Sequence, residues 1–193
     1  MTKSALVALA GAVLATGATF GAPAPAAVGS DTATAAVSGA AVTAAPLPDK
    51  FPTHAAALAR LRAGGLAGQF PDPVSTNHCS TRKKDVTGCT SLERINVKTV
   101  EGMRIFAQKS NCRIQITGGT EWGHAPRRGD YNNHKYKSHW NGYKLDISPT
   151  DCVGNYIKSH YRRDGSIDGH PKYVSGGGNW YVDEGDHWDV TYF

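Results

Sequence analysis

The four cysteines of the chain all lie in its C-terminal part, and they constrain the fold of that part more than any other feature. They are Cys79, Cys89, Cys112 and Cys152. An even number of cysteines is typical of a disulfide framework in an exported protein, and the absence of a CxxC pair argues against a cysteine-ligated zinc site. Three pairings are open, of which we favour a local Cys79–Cys89 disulfide and a longer Cys112–Cys152 disulfide.

The first 27 residues have the features of an export signal. Lys3 supplies a positive charge, residues 5–20 form an uncharged apolar stretch, and the small residues Ala24-Pro25-Ala26 follow. The apolar stretch is short and rich in glycine and threonine, which makes it a weak candidate for a membrane anchor. We therefore expect residues 1–27 to be a signal peptide and the protein to be secreted, without stable insertion into a membrane.

Residues 28–75 precede the part of the chain that is rich in packable side chains. Their first half consists mainly of alanine, threonine, valine, glycine and proline, which favours a linker or pro-segment without a core. Residues 54–68 are compatible with one short helix that ends at Gly64-Gly65. The sequence leaves open whether this helix packs on the following domain or belongs to a removable pro-segment.

Residues 76–193 are predicted to form one small α+β domain, with a central antiparallel sheet flanked by helices and two disulfides. This region holds 14 of the 17 aromatic residues, so it can build a core. Apolar spacing separates helical from extended segments. The predicted elements are a helix over residues 93–109, strands over 113–117 and 143–148, a helix over 151–163, and two or three antiparallel strands within 172–193.

The charge distribution of the chain argues against nucleic acid as a partner. The formal net charge is +5, and the basic clusters Arg82-Lys83-Lys84 and Arg162-Arg163 are short. A nucleic-acid binder would more often show a longer basic stripe together with a known motif. We expect a monomer with no nucleic-acid partner, and the charge is compatible with attraction to an anionic cell wall.

The segment from Ser138 to Asp146 carries side chains suited to metal chemistry. Alternation along the predicted strand places Lys144 and Asp146 on one face and the apolar residues on the other. Gly142 permits a sharp bend, which would bring His139 back toward Asp146. This predicts an imidazole and a carboxylate close together at the polar face of the sheet.

The last strand offers a second histidine in the same way. Its apolar residues share one face, so His187 and Asp189 lie on the other. If the two strands are close in the sheet, His139, Asp146 and His187 converge, and two imidazoles with one carboxylate suit Zn²⁺ while leaving a position for water. Glu184, across a turn from His187, is placed to take a proton from that water and pass it to a leaving amine.

These residues resemble a known family signature. His139-x-x-Gly142-x-x-x-Asp146 followed by Glu184-x-x-His187-Trp188 is similar to the pattern of the D-Ala-D-Ala carboxypeptidase/dipeptidase family of zinc peptidases, which is related to the Hedgehog signalling domain. The resemblance covers residues 93–193. It implies a small α+β domain, zinc bound by the two histidines and the aspartate, the glutamate as general base, and an exported enzyme that cuts peptide bonds of peptidoglycan.

Several positions depart from the family pattern or flank it. The family serine falls at Lys137, with Ser138 one place later, and the family alanine falls at Lys144. Glu121 stands about where the family often has an arginine, and His124 either lines the cleft or packs on an aromatic ring. The candidates for contacts to the metal ligands or to substrate are His124, Glu121, Ser138, Lys144, Asp189 and Trp188.

We therefore expect a secreted zinc-dependent, D-Ala-D-Ala carboxypeptidase-like peptidase that hydrolyses peptide bonds of peptidoglycan, of the D,D- or L,D-peptidase type. An alternative is a non-catalytic zinc-containing module of the same fold that binds cell-wall glycan or a protein partner. The missing arginine favours the alternative, whereas Glu184 opposes it because a structural site needs no base. A third hypothesis is a disulfide-bonded secreted effector without a metal.

Overall fold

The computed structural model describes the C-terminal three-quarters of the chain with short gaps. The described residues are 49–71, 79, 81–83, 89–124 and 136–193. They fall within one compact unit, Ala44–Phe193. The predicted signal peptide and the first part of the predicted linker lie outside them. Within the described residues, no helix combines the length and the apolar character needed to cross a membrane.

The centre of the fold is a six-stranded antiparallel sheet. The strands are β1 (Ile116–Gly118), β2 (Lys144–Ile147), β3 (Arg162–Ile167), β4 (His170–Val174), β5 (Trp180–Asp183) and β6 (Trp188–Thr191). Their order across the sheet is β1-β2-β6-β5-β4-β3. β6, the last strand of the chain, is inserted beside β2, so two segments far apart in sequence become direct neighbours.

In the part of the chain that the structure describes, three α-helices accompany the sheet, which confirms the predicted α+β class. They are α1 (His54–Arg62), α2 (Val97–Ser110) and α3 (Asp151–His160), with a short 3-10 helix at Leu66–Gly68. The side chain of Thr53 accepts a hydrogen bond from the Ala56 amide at the start of α1, and Thr150 accepts one from Val153 at the start of α3. These N-caps satisfy amides that have no partner within the helix.

One apolar core joins the helices to the sheet. It includes Leu61 of α1, Phe106 of α2 and Val190 of β6, all at most 1% exposed. Phe51 and Phe70, on either side of α1, belong to the same core. The folded unit therefore extends N-terminal to residue 76, the predicted start of the domain, because Phe51, Leu61 and Phe70 are buried in the same core.

The boundaries of both predicted helices after residue 76 differ from the observed ones, and the strand predicted over 113–117 is observed at Ile116–Gly118. The predicted helix over 93–109 begins only at Val97, because Arg94 has a positive φ of 64° that a helix does not allow. Leu92 and Ile95 are nevertheless fully buried, from an irregular segment. The predicted helix over 151–163 ends at His160, and the chain continues directly into β3, a strand that the sequence analysis did not predict.

Both favoured disulfides are present. Cys79 is bonded to Cys89, and Cys112, just after α2, is bonded to Cys152 in the first turn of α3. The second bond closes a 40-residue separation that includes β1 and β2, and so ties the two helices together across the sheet strands between them. The disulfides indicate an extracellular or otherwise oxidising compartment.

Replacing Leu61 by alanine tests whether α1 belongs to the folded unit. We expect Leu61→Ala to lower the free energy of unfolding by about 2–5 kcal/mol, because it leaves a cavity in the shared core. Leu58→Ala, on the half-buried side of the same helix, should cost clearly less. Urea denaturation of the full chain gives both values, and equal, near-zero losses would show that α1 docks only weakly.

Candidate metal centre

The pairing of β2 with β6 builds the base of the site. Asp146 lies directly opposite Asp189, while the neighbouring pair Leu145 and Val190 is fully buried in the core. Because side chains alternate along both strands, the two aspartates share the face away from that core. The predicted strand faces and the predicted closeness of these two strands are therefore confirmed.

His139 reaches this face through a tight turn. The Gly142 amide donates to the His139 carbonyl at 2.8 Å, and Gly142 has a φ of 81°, which a residue with a side chain rarely adopts. The imidazole is 2% exposed, and its Nδ1 lies 3.0 Å from the carbonyl oxygen of Gly119. Since a carbonyl only accepts, Nδ1 carries the proton, and Nε2 is the atom that faces Asp146.

Asp146 is the buried carboxylate at the centre of the cluster. Its Oδ1 has no hydrogen-bond partner and lies 3.3 Å from Nε2 of His139, while its Oδ2 lies 2.6 Å from Nε2 of His124. Burial opposes the charged form, but the His139 and His124 imidazoles outweigh it and hold the pKa of Asp146 well below its usual range. A buried anionic oxygen without a hydrogen bond is a natural ligand for a cation.

His124 is held in place by Glu121. Nδ1 of His124 lies 3.2 Å from Oε1 of Glu121. The buried Glu121 carboxylate accepts hydrogen bonds from the backbone amides of Ser91 and Gly119. The residue that stands about where the resemblance leads us to expect an arginine therefore has a positioning role, and His124 lies at the centre rather than only packing on an aromatic ring.

His187 approaches the same carboxylate from the turn between β5 and β6, and Glu184 lies beside His187. Nε2 of His187 lies 3.7 Å from Oδ1 of Asp146 and 3.4 Å from Oε2 of Glu184. Nδ1 of His187 lies 2.7 Å from the carboxylate of Asp186. The Glu184 amide donates to the His187 carbonyl, and Gly185 has a φ of 92°, so a tight turn holds the two side chains together.

Lys144 and Asp189 border the centre on the same face of the sheet. Lys144 Nζ lies 2.6 Å from Oδ2 of Asp189, and that oxygen lies 3.9 Å from Nε2 of His139. Burial lowers the pKa of His139, but the charges of Asp146 and Asp189 outweigh it and raise that pKa to about 10. The carboxylates therefore create a negative potential that favours a cation at this point.

Two of the predicted candidates lie away from the cluster. The hydroxyl of Ser138 accepts a hydrogen bond from the Asn141 amide and so supports the turn that presents His139. Trp188 is 1% exposed and packs in the core, with its ring 5.8 Å from that of Tyr173. Neither side chain is presented to the centre, because Trp188 lies on the opposite face of β6 from His187.

The described residues include one group that can hold a metal ion. His124, His139 and Asp146 each offer a ligand atom, and these atoms all lie within 4.8 Å of one another. His139 and Asp146 belong to the predicted ligand set, and His124 is the third member of the group. His187, the third predicted ligand, lies outside this group, although its Nε2 is 3.7 Å from Oδ1 of Asp146. His124 could not be assigned from the sequence, because it follows β1 in an irregular segment where no periodicity indicates its direction.

Comparison with known proteins gives no relative. No family model, no curated protein and no solved structure matches the chain.

Gly118 leaves the space in which His124 and Asp146 meet. A β-carbon at this position would collide with the Asp146 carboxylate and would lie 2.6 Å from the His124 ring. We expect Gly118→Ala to weaken metal binding at least about tenfold, as loss of the groups that orient ligands does. Chelator competition on the full chain measures this.

Gly154→Ala in α3 is the matched control for Gly118→Ala. The nearest contact of its β-carbon would be an ordinary 3.9 Å to Trp188, so metal affinity should stay unchanged. Equal metal affinities in the two variants would contradict the role assigned to Gly118.

Proposed function

We propose that the protein is a secreted zinc peptidase that hydrolyses peptide bonds of peptidoglycan, of the D,D- or L,D-peptidase type. The observation that carries the proposal is the convergence of three imidazoles on the buried carboxylate of Asp146, with Glu184 at 3.4 Å from His187. Metal donors with an adjacent carboxylate that can accept a proton are what metal-assisted hydrolysis requires.

The donor set supports zinc as the metal. Imidazole nitrogens and a carboxylate oxygen are ordinary zinc ligands, and hard cations such as Mg²⁺ prefer oxygen. The unpartnered Oδ1 of Asp146, between His139 and His187, supports the predicted ligand set. Zinc bound there would polarise the scissile carbonyl and lower the pKa of water.

Glu184 is the residue that we assign to proton transfer. Its carboxylate is about one-third exposed, so water and substrate can reach it, and the turn to His187 fixes it beside the centre. As general base it takes a proton from the attacking water, and it then gives that proton to the leaving amine as the C–N bond breaks. The products are one carboxylic acid and one amine, so the proton balance closes on Glu184.

The choice of substrate rests on the family resemblance and on the proposed location. The disulfides fit an exported protein, and the net charge of +5 would attract it to an anionic cell wall. Trp122 and Trp140, each two residues or fewer from a histidine of the centre, contact each other edge to face at 5.3 Å. They provide a half-buried aromatic border against which a peptide could lie.

A non-catalytic wall-binding module is the second candidate, and one observation favours it. Glu121, where the family often has an arginine, is tied to the backbone amides of Ser91 and Gly119. It is therefore committed to the fold and offers no positive charge to a substrate carboxylate or to an oxyanion. In this hypothesis the metal stabilises the loops around the centre and Glu184 has no chemical role.

Replacing Glu184 by glutamine separates the two functions. We expect the zinc-loaded Glu184→Gln protein to hydrolyse peptidoglycan fragments about 10²–10⁴-fold more slowly, because the amide cannot accept the proton. Zinc content and melting temperature should stay those of the parent. Mass spectrometry of released peptides gives the rates.

Glu101→Gln, on α2 and paired with Arg60 outside the centre, serves as the matched control and should retain full turnover. A parent protein that binds zinc and peptidoglycan but hydrolyses nothing would establish the binding module instead.

A further inference from the structure

Each of the three imidazoles around Asp146 has its Nδ1 engaged elsewhere. His139 uses Nδ1 toward the Gly119 carbonyl, and His124 uses it toward Glu121. His187 uses it toward Asp186. All three therefore turn Nε2, the remaining ring nitrogen, toward the same carboxylate.

We propose that the metal is bound by four protein side chains, with His124 as the ligand added to the predicted set of two histidines and one aspartate. The inference rests on the metal centre of the proposed function but not on peptidase activity. It goes beyond the family resemblance, which implies three protein ligands. Glu121 is then a positioning residue, since it fixes the ring that binds.

The orientation of His124 is built into the fold. Glu121 is 5% exposed, and its Oε2 accepts from the Ser91 amide at 2.7 Å, which anchors the carboxylate to a segment 30 residues away. A carboxylate beside the other nitrogen of a histidine ligand is the arrangement that orients the ring and raises ligand basicity in metal sites, and Glu121 lies 3.2 Å from Nδ1 of His124. A residue that merely lined a cleft would not need this support.

The distances to Asp146 fit coordination by His124, His139 and Asp146, whose ligand atoms all lie within 4.8 Å of one another, and His187 would have to move closer to join them. Ligand atoms of a tetrahedral zinc site with bonds of about 2.0–2.1 Å lie roughly 3.3 Å apart. Nε2 of His139 and of His187 lie 3.3 and 3.7 Å from Oδ1 of Asp146. Nε2 of His124 lies 2.6 Å from Oδ2, a hydrogen-bond distance, so binding would exchange this hydrogen bond for the metal.

Gly118 supplies the space for this exchange. Its missing side chain leaves the ring of His124 beside the Asp146 carboxylate, where any β-carbon would collide with both. The rings of His124 and His139 are already in contact edge to face, with centroids 4.4 Å apart. These two imidazoles are therefore adjacent to each other and to the carboxylate.

Four protein ligands would close the coordination shell, as structural zinc sites do. Water can then enter only by displacing a ligand or by expanding the shell to five. The side chains of His124 and His187 are 27% and 25% exposed, against 3% for His139, so solvent or substrate can reach either of them. Displacement of one of these two ligands would open access to the metal.

X-ray absorption fine structure on the zinc-loaded full chain tests the proposal, because it counts imidazole ligands directly. We expect three imidazoles in the parent protein and two in His124→Ala. Chelator competition should show a zinc dissociation constant raised at least about tenfold in His124→Ala, and raised about tenfold in Glu121→Gln with three imidazoles retained. His160→Ala, an exposed histidine on α3, is the matched control and should leave both measurements unchanged.

Two imidazoles in the parent protein, or no zinc bound at all, would overturn the proposal, and neither result depends on how the variants fold. An unchanged dissociation constant in a folded His124→Ala protein would overturn it as well, leaving His124 as a hydrogen-bond donor to Asp146. Three imidazoles in a parent protein that hydrolyses nothing would support the four-ligand site and contradict the proposed peptidase activity. Two imidazoles in a parent protein that does hydrolyse peptidoglycan would support the peptidase activity and contradict the four-ligand site.

Discussion

The buried carboxylate of Asp146 is the constraint on which the rest of the site depends. A charge at 3% exposure is costly unless it is compensated, and the compensation here comes from imidazoles that three separate segments supply. Each segment must therefore be held accurately, one by the turn at Gly142, one by Glu121 and one by the turn that ends at His187. A structure that relaxed any of them would leave the carboxylate with less compensation of its charge.

The register between β2 and β6 links the geometry of the site to the packing of the whole domain. Asp146 and Asp189 face the centre only because Leu145 and Val190 face the core, and a slip of one residue would exchange the two sets. The packing of the core therefore determines which residues of β2 and β6 face the site. The Cys112–Cys152 disulfide adds a covalent restraint around the segment that contains β2.

Much of the fold is predictable from the local sequence pattern, and the elements that were missed or misplaced have local causes. The strand around Asp146 and the terminal strands were predictable because apolar and polar residues alternate there. β3 was missed because its residues, Arg162–Ile167, are mostly exposed and carry no such alternation. The start of α2 was placed too early because Leu92 and Ile95 have helical spacing but are buried from an irregular segment, at a point where Arg94 adopts a positive φ.

The sequence by itself determined the strand faces, since these depend on spacing along the chain. It favoured the two disulfides that the structure contains but left three pairings open. It could place His139, Asp146 and His187 on one polar face, on the condition that two strands are neighbours. Only the tertiary structure decided that they are, and that His124 joins them. The position of His124 depends on the contact between Glu121 and the distant Ser91 amide. A contact between segments that no periodicity links is a product of packing and leaves no signal in the local sequence.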